Sequence, residues 1–336
     1  MILKQFLDDT SKTFTYILAA AEGKDAIIID PVLEGVDDYL QFLGSHNLRL
    51  IKALDTHIHA DHFTGLSRLR ELTKCMIIAS QESAVELASQ RIKDGDSLEV
   101  DGFELKAIYT PGHTIESYCF YTQGFIFTGD TLFIRGNGRT DFQNGSAKQL
   151  YESITQKLFI LPADTVVCPG HDYKGENFST IGREIEQNPR LAGKTCEEFI
   201  EIMNNLNLPN PKLMDVAVPA NLKTGTGLKE SLHKSIIFNR SDLENIKHSF
   251  LLVDLREAAE IGKTGMLPGA VHIPYKDLIH AIGDPNSSLM QAYNKGDMII
   301  FYCAYGERSA LAIKIAKENK LEKVGHLDGG FHKGNT

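Results

Sequence analysis

The sequence has no tryptophan, no C-x-x-C pair and no apolar run near the roughly 18–20 residues that a membrane-spanning helix needs. It also has no excess of basic over acidic residues. The 336 residues carry a formal net charge of −9, which argues against binding to nucleic acid or to an anionic membrane. Residues 1–14 have neither the apolar core of a signal peptide nor the composition of a transit peptide. We therefore expect a cytoplasmic protein that binds neither nucleic acid nor membrane.

Cysteine is scarce and scattered. The five cysteines are odd in number and widely spaced, which is typical of a reducing compartment rather than of a disulfide framework. Apolar residues make up 42% and charged residues 24%, so wholesale disorder is excluded. The chain is longer than most single domains, and we expect two domains, each with its own core.

Short apolar runs separated by turn signals dominate residues 26–178 and predict strands with helices between them. The predicted strands are 26–30, 50–56, 75–80, 103–110, 118–122, 125–130 and 165–170. The predicted helices are 83–90, 147–159 and 195–206.

A stretch rich in Gly, Thr and Lys follows three prolines and places a domain boundary near 222–233. Strands and helices then alternate, which predicts a small, mostly parallel α/β domain. Its predicted strands are 250–257, 270–274 and 298–304, and its predicted helices include 309–319. We expect domains at 1–225 and 233–336, joined by a linker at 226–232.

A histidine cluster is the sharpest signal in the first half of the chain. Residues 56–62, THIHADH, hold three histidines and an aspartate, each of which needs a polar partner when buried. His113, Asp130 and His171 each follow a glycine where a predicted strand runs into a loop, the usual place for functional residues. Taken singly, each of these histidines is best explained as an ordinary hydrogen-bonded side chain that binds no metal. Together they predict a metal site.

The H-x-H-x-D-H pattern with its later His, Asp and His resembles the metallo-β-lactamase superfamily. That resemblance implies an αββα sandwich with metal at one edge of its two sheets. Two members of this superfamily are consistent with the pattern. Glyoxalase II would use all seven positions for two metals, zinc or iron, and hydrolyse a glutathione thioester. Persulfide dioxygenase would hold one Fe(II) per chain with His57, His113 and Asp130 only. Spacing alone leaves both open, because the other four positions are also filled: His59, Asp61, His62 and His171.

The surrounding sequence favours the dioxygenase. Residues 134–143 (IRGNGRTDFQ), 188–191 (NPRL), 197–212 and 215–221 (DVAVPAN) are similar to that family, and the resemblance covers about 1–225. It implies oxidation of glutathione persulfide by O2 to sulfite and glutathione. Two histidines and one carboxylate leave three positions open on Fe(II), whereas a dinuclear site would supply a bridging hydroxide. The other four positions would then orient the ligands and tune the iron.

Two further residues fall where glyoxalase II contacts glutathione. Arg139 aligns with a cationic residue that binds the glutathione carboxylate, and a guanidinium suits that role. Tyr173 aligns with a tyrosine that touches glutathione. The alternative for Arg139 is an internal ion pair with Asp141 or Asp172, two residues that we interpret as structural supports.

The second half of the chain carries a cysteine loop. Residues 298–309, MIIFYCAYGERS, predict a strand, a tight loop and the start of a helix. Loop N–H groups, the helix N-terminus and Arg308 would favour an anionic sulfur on Cys303, lower its pKa and make it a nucleophile. The alternative is a buried structural cysteine.

This half resembles a rhodanese domain over about 233–336. Cys303 begins the active-site loop motif C-x-x-G-x-R-S, and residues 254–257 (DLRE), 268–274 (PGAVHIP) and 328–330 (DGG) match the other motifs. Four residues separate Cys303 from Arg308, one fewer than in related phosphatases, which favours sulfur transfer over phosphoryl transfer.

The rhodanese motifs also show departures. Met266 stands where the family has a histidine, and the tryptophan common after Gly-Gly is missing, with Phe331 and His332 nearby. We interpret Asp254 and Arg256 as mainly structural, with a substrate contact as a lesser role for Arg256.

The fusion predicts a bifunctional sulfur-oxidation enzyme. A rhodanese moves sulfane sulfur between thiosulfate and glutathione, with sulfite as the other partner, and the dioxygenase consumes glutathione persulfide. The family resemblance also implies a homodimer. Two alternatives are a dinuclear thioester hydrolase with a sulfurtransferase domain, and a persulfide carrier or sensor in which Cys303 is labelled without multiple turnover.

Overall fold

The computed structural model divides into two compact units, Met1–Glu86 with Arg91–Thr224 and Gly225–Thr336 with Leu87–Gln90. None of the described helices combines the length and the apolar composition of a membrane-spanning segment. The structure describes residues 1–86, 88–172, 175–206, 214–223, 236–243, 249–304, 306–327 and 330–331.

The first unit contains two six-stranded sheets. In the first sheet the strands lie in sequence order; β1 to β3 are antiparallel, and β3, β4 and β5 are parallel. Its strands are β1 (Ile2–Leu7), β2 (Phe14–Ala19), β3 (Asp25–Ile29), β4 (Arg49–Leu54), β5 (Met76–Ser80) and β6 (Gln90–Ile92).

The second sheet has the order β12-β11-β10-β9-β8-β7 and is antiparallel except for the β10–β11 pair. Its strands are β7 (Ser97–Val100), β8 (Phe103–Tyr109), β9 (Tyr118–Thr122), β10 (Phe125–Gly129), β11 (Val166–Pro169) and β12 (Ser179–Thr180). The sheets face one another: the Tyr16 ring meets the Phe127 ring edge-on at 5.0 Å, and the Tyr16 hydroxyl donates to the Pro169 carbonyl at 2.7 Å.

Helices cover the outer faces of both sheets. Tyr39 and Leu69, on the first two helices, pack with Ile28 of β3, while Leu150 and Phe199 pack with residues of the second sheet. The predicted αββα sandwich is therefore confirmed. Its helices are α1 (Val36–Ser45), α2 (Leu66–Thr73), α3 (Ala147–Ser153), a π-helical turn (Ile154–Leu158), α4 (Ile181–Gln187), α5 (Cys196–Asn204) and α6 (Met214–Asn221).

The second unit contains a five-stranded sheet of order β13-β17-β16-β14-β15 in which every pairing is parallel, as predicted. Its strands are β13 (Ile236–Phe238), β14 (Phe250–Asp254), β15 (Val271–His272), β16 (Met298–Tyr302) and β17 (Val324–Leu327). Its helices are α7 (Arg240–Leu243), α8 (Ala258–Thr264), α9 (Leu278–Gly283), α10 (Ser288–Lys295) and α11 (Glu307–Glu318).

The predicted helix at 83–90 is wrong. The described residues there form an irregular loop that runs into β6. The guanidinium of Arg91, directly after this segment, donates to the carbonyl oxygens of Ser80, Ser83 and Val85 at 2.7–3.2 Å, so a side chain takes the place of helical amides. The predicted linker at 226–232 lies outside the described residues.

Candidate functional site

Four strands of the first unit end in loops that carry the histidine cluster. His57 follows β4, His113 follows β8, Asp130 directly follows β10 and His171 follows β11. Strand ends on a rigid sandwich hold such loops in fixed positions. The structure thus places the histidine cluster in loops at strand ends, as predicted.

Three of the predicted residues converge. The ligand atoms of His57, His113 and Asp130 all lie within 4.8 Å of one another, and His113 Nε2 lies 3.5 Å from Asp130 Oδ2. Both imidazoles are buried. Burial, with the neighbouring His59 and His113, holds the pKa of His57 well below its usual value, so this ring is neutral, as a metal ligand must be.

Neighbouring groups fix the orientation of these ligands. His113 Nδ1 lies 2.7 Å from the carbonyl oxygen of Arg139, and His57 Nδ1 lies 3.1 Å from the Thr56 hydroxyl, which leaves each Nε2 available. Asp130 Oδ1 is buried and has no hydrogen-bond partner among the described residues. Two imidazoles and one carboxylate, with one buried oxygen to satisfy, fit a divalent transition-metal ion.

Glycine is required beside this cluster. Gly129 has a φ of +47°, and a Cβ there would overlap the Thr56 side chain. A Cβ on Gly138 would overlap the Asp130 carbonyl and lie 2.9 Å from His113 Nδ1. These two positions allow the loops to approach the ligands closely.

The other four predicted positions lie against the triad. His59, Asp61 and His62 form a second group whose ligand atoms lie within 4.8 Å of one another. His171 Nε2 lies 3.4 Å from Asp130 Oδ1 and 3.6 Å from Asp61 Oδ2, between the two groups. Burial alone would raise the pKa of Asp61, but the neighbouring histidines hold it far below its usual value.

Asp30 is a residue that sequence reasoning missed. It follows β3 with a φ of +50°, and its carboxylate accepts from the Thr56 amide at 2.6 Å and the Thr56 hydroxyl at 2.9 Å. His59 Nε2 lies 3.2 Å from the same carboxylate, which raises the pKa of His59 to about 10 although burial alone would lower it. The only signal in the sequence is an acidic residue at the end of an apolar strand.

Of the two residues predicted to contact glutathione, the structure describes only Arg139. Arg139 forms a two-bond ion pair with Asp141, with distances of 2.6 Å, which is the alternative proposed for this residue. Both residues line a cavity of about 310 Å³ together with Met203 and other side chains. Asp172 accepts from the amide of Glu176 at 2.7 Å. Tyr173 lies outside the described residues.

The cysteine loop of the second unit encloses Cys303 at the end of β16. The thiol is 1% exposed, and Cys303 Sγ accepts a hydrogen bond from the amide of Gly306 at 3.2 Å. Ser309 Oγ lies 4.0 Å from the sulfur and donates to the Gly306 carbonyl at 2.9 Å. Gly306 has a φ of +103° and precedes α11. The loop therefore directs at least one backbone donor toward the sulfur, as predicted.

Arg308 lies in the first turn of α11 and is paired with Glu260 of α8. Its two terminal nitrogens donate to the Glu260 carboxylate at 2.6 and 2.7 Å. Sequence reasoning missed this partner, since an acidic residue on a short helix gives no sign of its contact.

Asp254 and Arg256 form a buried ion pair, with Arg256 Nη2 2.6 Å from Asp254 Oδ2. The Arg256 guanidinium also lies 4.0 Å from the centre of the Phe331 ring. Phe331 is close in sequence to the position at which the family has the tryptophan that this chain lacks. These contacts agree with the structural interpretation of both residues. Asp328, Gly329 and His332 lie outside the described residues.

Known proteins resemble both units. Residues 9–171 match the metallo-β-lactamase superfamily, and residues 239–335 match the rhodanese-like domain. The chain is 45% identical over 228 residues to the mitochondrial persulfide dioxygenase ETHE1 of Homo sapiens and 44% identical to that of Mus musculus; each alignment covers 67% of this chain and 89% of the relative.

Solved structures agree. The crystal structure of ETHE1 from Myxococcus xanthus is 48% identical, with a TM-score of 0.66, and covers 67% of this chain and 100% of its own. A metallo-β-lactamase structure from Staphylococcus aureus shares the fold at 24% identity, with a TM-score of 0.61 and 98% of both chains covered. The chain therefore belongs to the persulfide dioxygenase family of the metallo-β-lactamase superfamily and carries a rhodanese domain after it.

Proposed function

We propose that the first unit is a mononuclear Fe(II) dioxygenase that oxidises glutathione persulfide with O2 to sulfite and glutathione. The observation that carries this proposal is the convergence of His57, His113 and Asp130, each with a ligand atom within 4.8 Å of the others. The identity to persulfide dioxygenases over 228 residues supports the same chemistry.

His57, His113 and Asp130 would hold the iron through two imidazole nitrogens and a carboxylate oxygen. When bound, Fe(II) supplies open coordination positions for the persulfide sulfur and for dioxygen. The Arg139 carbonyl and the Thr56 hydroxyl keep the two imidazole rings oriented. His59, Asp61, His62 and His171 surround the ligands and tune their basicity.

We assign the glutathione moiety to the cavity beside Arg139. The cavity is polar at Arg139 and Asp141, and Met203 contributes an apolar wall. A guanidinium binds a carboxylate with two parallel hydrogen bonds, so the glutathione carboxylate would exchange with Asp141 as the partner of Arg139. Tyr173 is the second proposed glutathione contact.

The second unit is proposed to be a thiosulfate sulfurtransferase. Cys303 Sγ attacks the sulfane sulfur of thiosulfate, the S–S bond breaks and sulfite leaves with the bonding electrons. The resulting Cys303 persulfide is held by the Gly306 amide and by Arg308. A glutathione thiolate then attacks the outer sulfur, which yields glutathione persulfide and regenerates the Cys303 thiolate. In the reverse direction sulfite accepts the sulfur.

The two reactions share glutathione persulfide. Tethering a domain that makes a compound to a domain that consumes it raises the local concentration of that compound. We propose a cytoplasmic homodimer whose chain consists of a dioxygenase domain at 1–225, a linker at 226–232 and a rhodanese domain at 233–336.

The test is oxygen uptake by anaerobically iron-loaded protein on addition of glutathione persulfide, with sulfite measured in parallel. We expect oxygen uptake to match sulfite release, to be lost in His57→Ala and to be kept in Cys303→Ser. The same Cys303→Ser variant should lose thiosulfate:glutathione sulfur transfer. No uptake by protein with iron bound would overturn the dioxygenase assignment.

A second function is favoured by the group of His59, Asp61 and His62, which could hold a second metal. Buried His59 Nδ1 and His62 Nε2 have no hydrogen-bond partner among the described residues. A dinuclear centre, with zinc or iron, would hydrolyse a glutathione thioester without oxygen. Two metals per chain together with thioester turnover under nitrogen would establish this alternative.

A further inference from the structure

One distant side chain holds the middle of the histidine loop. Asn221, the last residue of α6, is 3% exposed. Its Nδ2 donates to the carbonyl oxygens of His59 at 3.0 Å and of His62 at 2.9 Å, and its Oδ1 accepts from the amide of Thr64 at 2.9 Å. Backbone groups in a loop lack the partners of a helix or sheet, so a buried amide side chain that meets three of them fixes the course of the loop.

The start of the loop is fixed independently. The amide of Thr56 donates to Asp30 at 2.6 Å, and the amide of Ile58 donates to Glu116 at 3.0 Å. Asn221 acts on the part that follows, where the imidazole of His59 lies 4.2 Å from that of His57 between ring centres. A shift of residues 59–64 would therefore change the contact between the His59 ring and the ring of His57, a proposed iron ligand.

Helix α6 lies beyond residues 9–171, the part that matches the superfamily, and the proposed function gives Asn221 no role. We infer that Asn221 is a positioning residue of the metal centre: by holding the backbone of residues 59–64 it keeps the surrounding histidines in metal-binding geometry, so metal affinity depends on α6. This inference rests on the proposed metal centre of the first unit.

Asn188 offers a matched control. It is fully buried, its Nδ2 donates to the Gly136 carbonyl at 3.0 Å and to Glu184 at 2.9 Å, and its Oδ1 accepts from the Arg190 amide at 3.1 Å. The residue type, the burial and the number of hydrogen bonds are the same. These bonds hold a different segment: none of them reaches residues 57–62, and none is made to His113, to Asp130 or to the Arg139 carbonyl that orients His113.

The experiment compares full-length wild type, Asn221→Leu and Asn188→Leu, because leucine has a similar size and adds no charge. Metal-free protein is titrated with Co(II), followed by its visible absorption, and with Fe(II) against a chelator under nitrogen. Thermal unfolding of the metal-free proteins reports the loss of stability. We expect both variants to lose stability to a similar extent, and only Asn221→Leu to raise the metal Kd about 10–100-fold and alter the Co(II) spectrum.

Asn221→Ser keeps one donor and should give a Kd between those of wild type and Asn221→Leu. If the leucine variants do not fold, Asn221→Ser and Asn188→Ser carry the same comparison. A Kd for the Asn221 variants within about twofold of wild type, or equal weakening by the Asn188 variants, would overturn the inference, because a supporting residue normally changes affinity by more than that. A wild type that binds no metal would instead overturn the proposed centre itself.

Discussion

Glu260 holds the guanidinium of Arg308 with both carboxylate oxygens, at 2.6 and 2.7 Å, beside the loop of Cys303. The Arg308 side chain is 1% exposed and that of Glu260 is 26% exposed, so the pair lies mostly out of water. The pair ties the first turn of α11 to α8. The negative charge of Glu260 also offsets part of the attraction that Arg308 exerts on a sulfur anion. Arg308 therefore influences the Cys303 loop as one half of an ion pair with Glu260 and not as an isolated cation.

Removal of the Glu260 charge should make stability less sensitive to acid. Burial alone would raise the pKa of Glu260, but the hydrogen bonds and charge of Arg308 hold it below the usual 4.5. A lowered carboxylate pKa stabilises the fold above about pH 4.5, and this stabilisation is lost as the pH falls through the folded pKa. We expect Glu260→Gln to lower the free energy of unfolding by about 1.5–3 kcal/mol at pH 7, and by much less once Glu260 is protonated.

Urea unfolding followed by far-ultraviolet circular dichroism at pH 7 and in steps below pH 4.5 measures this difference. The exposed Glu322 provides the control, since Glu322→Gln removes the same charge from the same unit. An equal loss of stability by Glu260→Gln at every pH would show that the ion pair is not the source of the effect.

Gly330 should be intolerant of any side chain because of its contact with the cysteine loop. It has a φ of +63°, and a Cβ there would overlap the carbonyl oxygen of Cys303. Gly269 has a similar φ of +77°, but a Cβ there would meet nothing within 4 Å. Gly269→Ala should therefore cost only about 1–2 kcal/mol from its left-handed backbone, whereas Gly330→Ala adds overpacking and should cost about 2–5 kcal/mol.

Thermal unfolding and sulfur transfer from thiosulfate to glutathione check this pair of variants. Gly330→Ala should lose sulfur transfer at temperatures where it remains folded, while Gly269→Ala should keep it. Equal activity and stability in both variants would mean that the loop yields to the added methyl group without cost.

Local patterns in the sequence predict much of this structure, and contacts between distant side chains account for what they miss. The strands at 298–304 and 165–170 are evident because buried strands are short apolar runs bounded by turn residues. The helix at 83–90 is an exception: carbonyls of this segment accept from the nearby Arg91 guanidinium instead of from helical amides, and the apolar pattern does not report such bonds. Asp30 and Glu260 were missed because each acts on a residue more than twenty positions away.

The ion pair of Arg139 and Asp141 leads to a prediction about substrate binding. Hydrogen bonds to Arg139 hold the pKa of Asp141 below its usual value, so this carboxylate remains charged and competes with the substrate at neutral pH. If Arg139 binds the glutathione carboxylate, Arg139→Gln should raise KM for glutathione persulfide about tenfold with little change in kcat, because uniform binding is lost. Asp141→Asn should lower KM.

Steady-state oxygen uptake at varied glutathione persulfide concentrations separates the two parameters. A fall in kcat for Arg139→Gln with unchanged KM would instead indicate that its carbonyl, which contacts His113, had moved with the side chain. An unchanged KM in both variants would exclude Arg139 as the carboxylate site.

Substitutions of His57 and His59 should have different consequences for metal content. His57 belongs to the triad, whereas the ring of His59 is held by Asp30 at 3.2 Å. In a mononuclear centre the wild type binds one metal per chain and His57→Ala binds none. His59→Ala retains one metal, with weaker affinity, because only the support of the centre is lost. Metal analysis after anaerobic loading and desalting, with His46→Ala as a histidine control outside the cluster, gives these counts. Two metals in the wild type, falling in His59→Ala, would place His59 among the ligands and favour the dinuclear hydrolase.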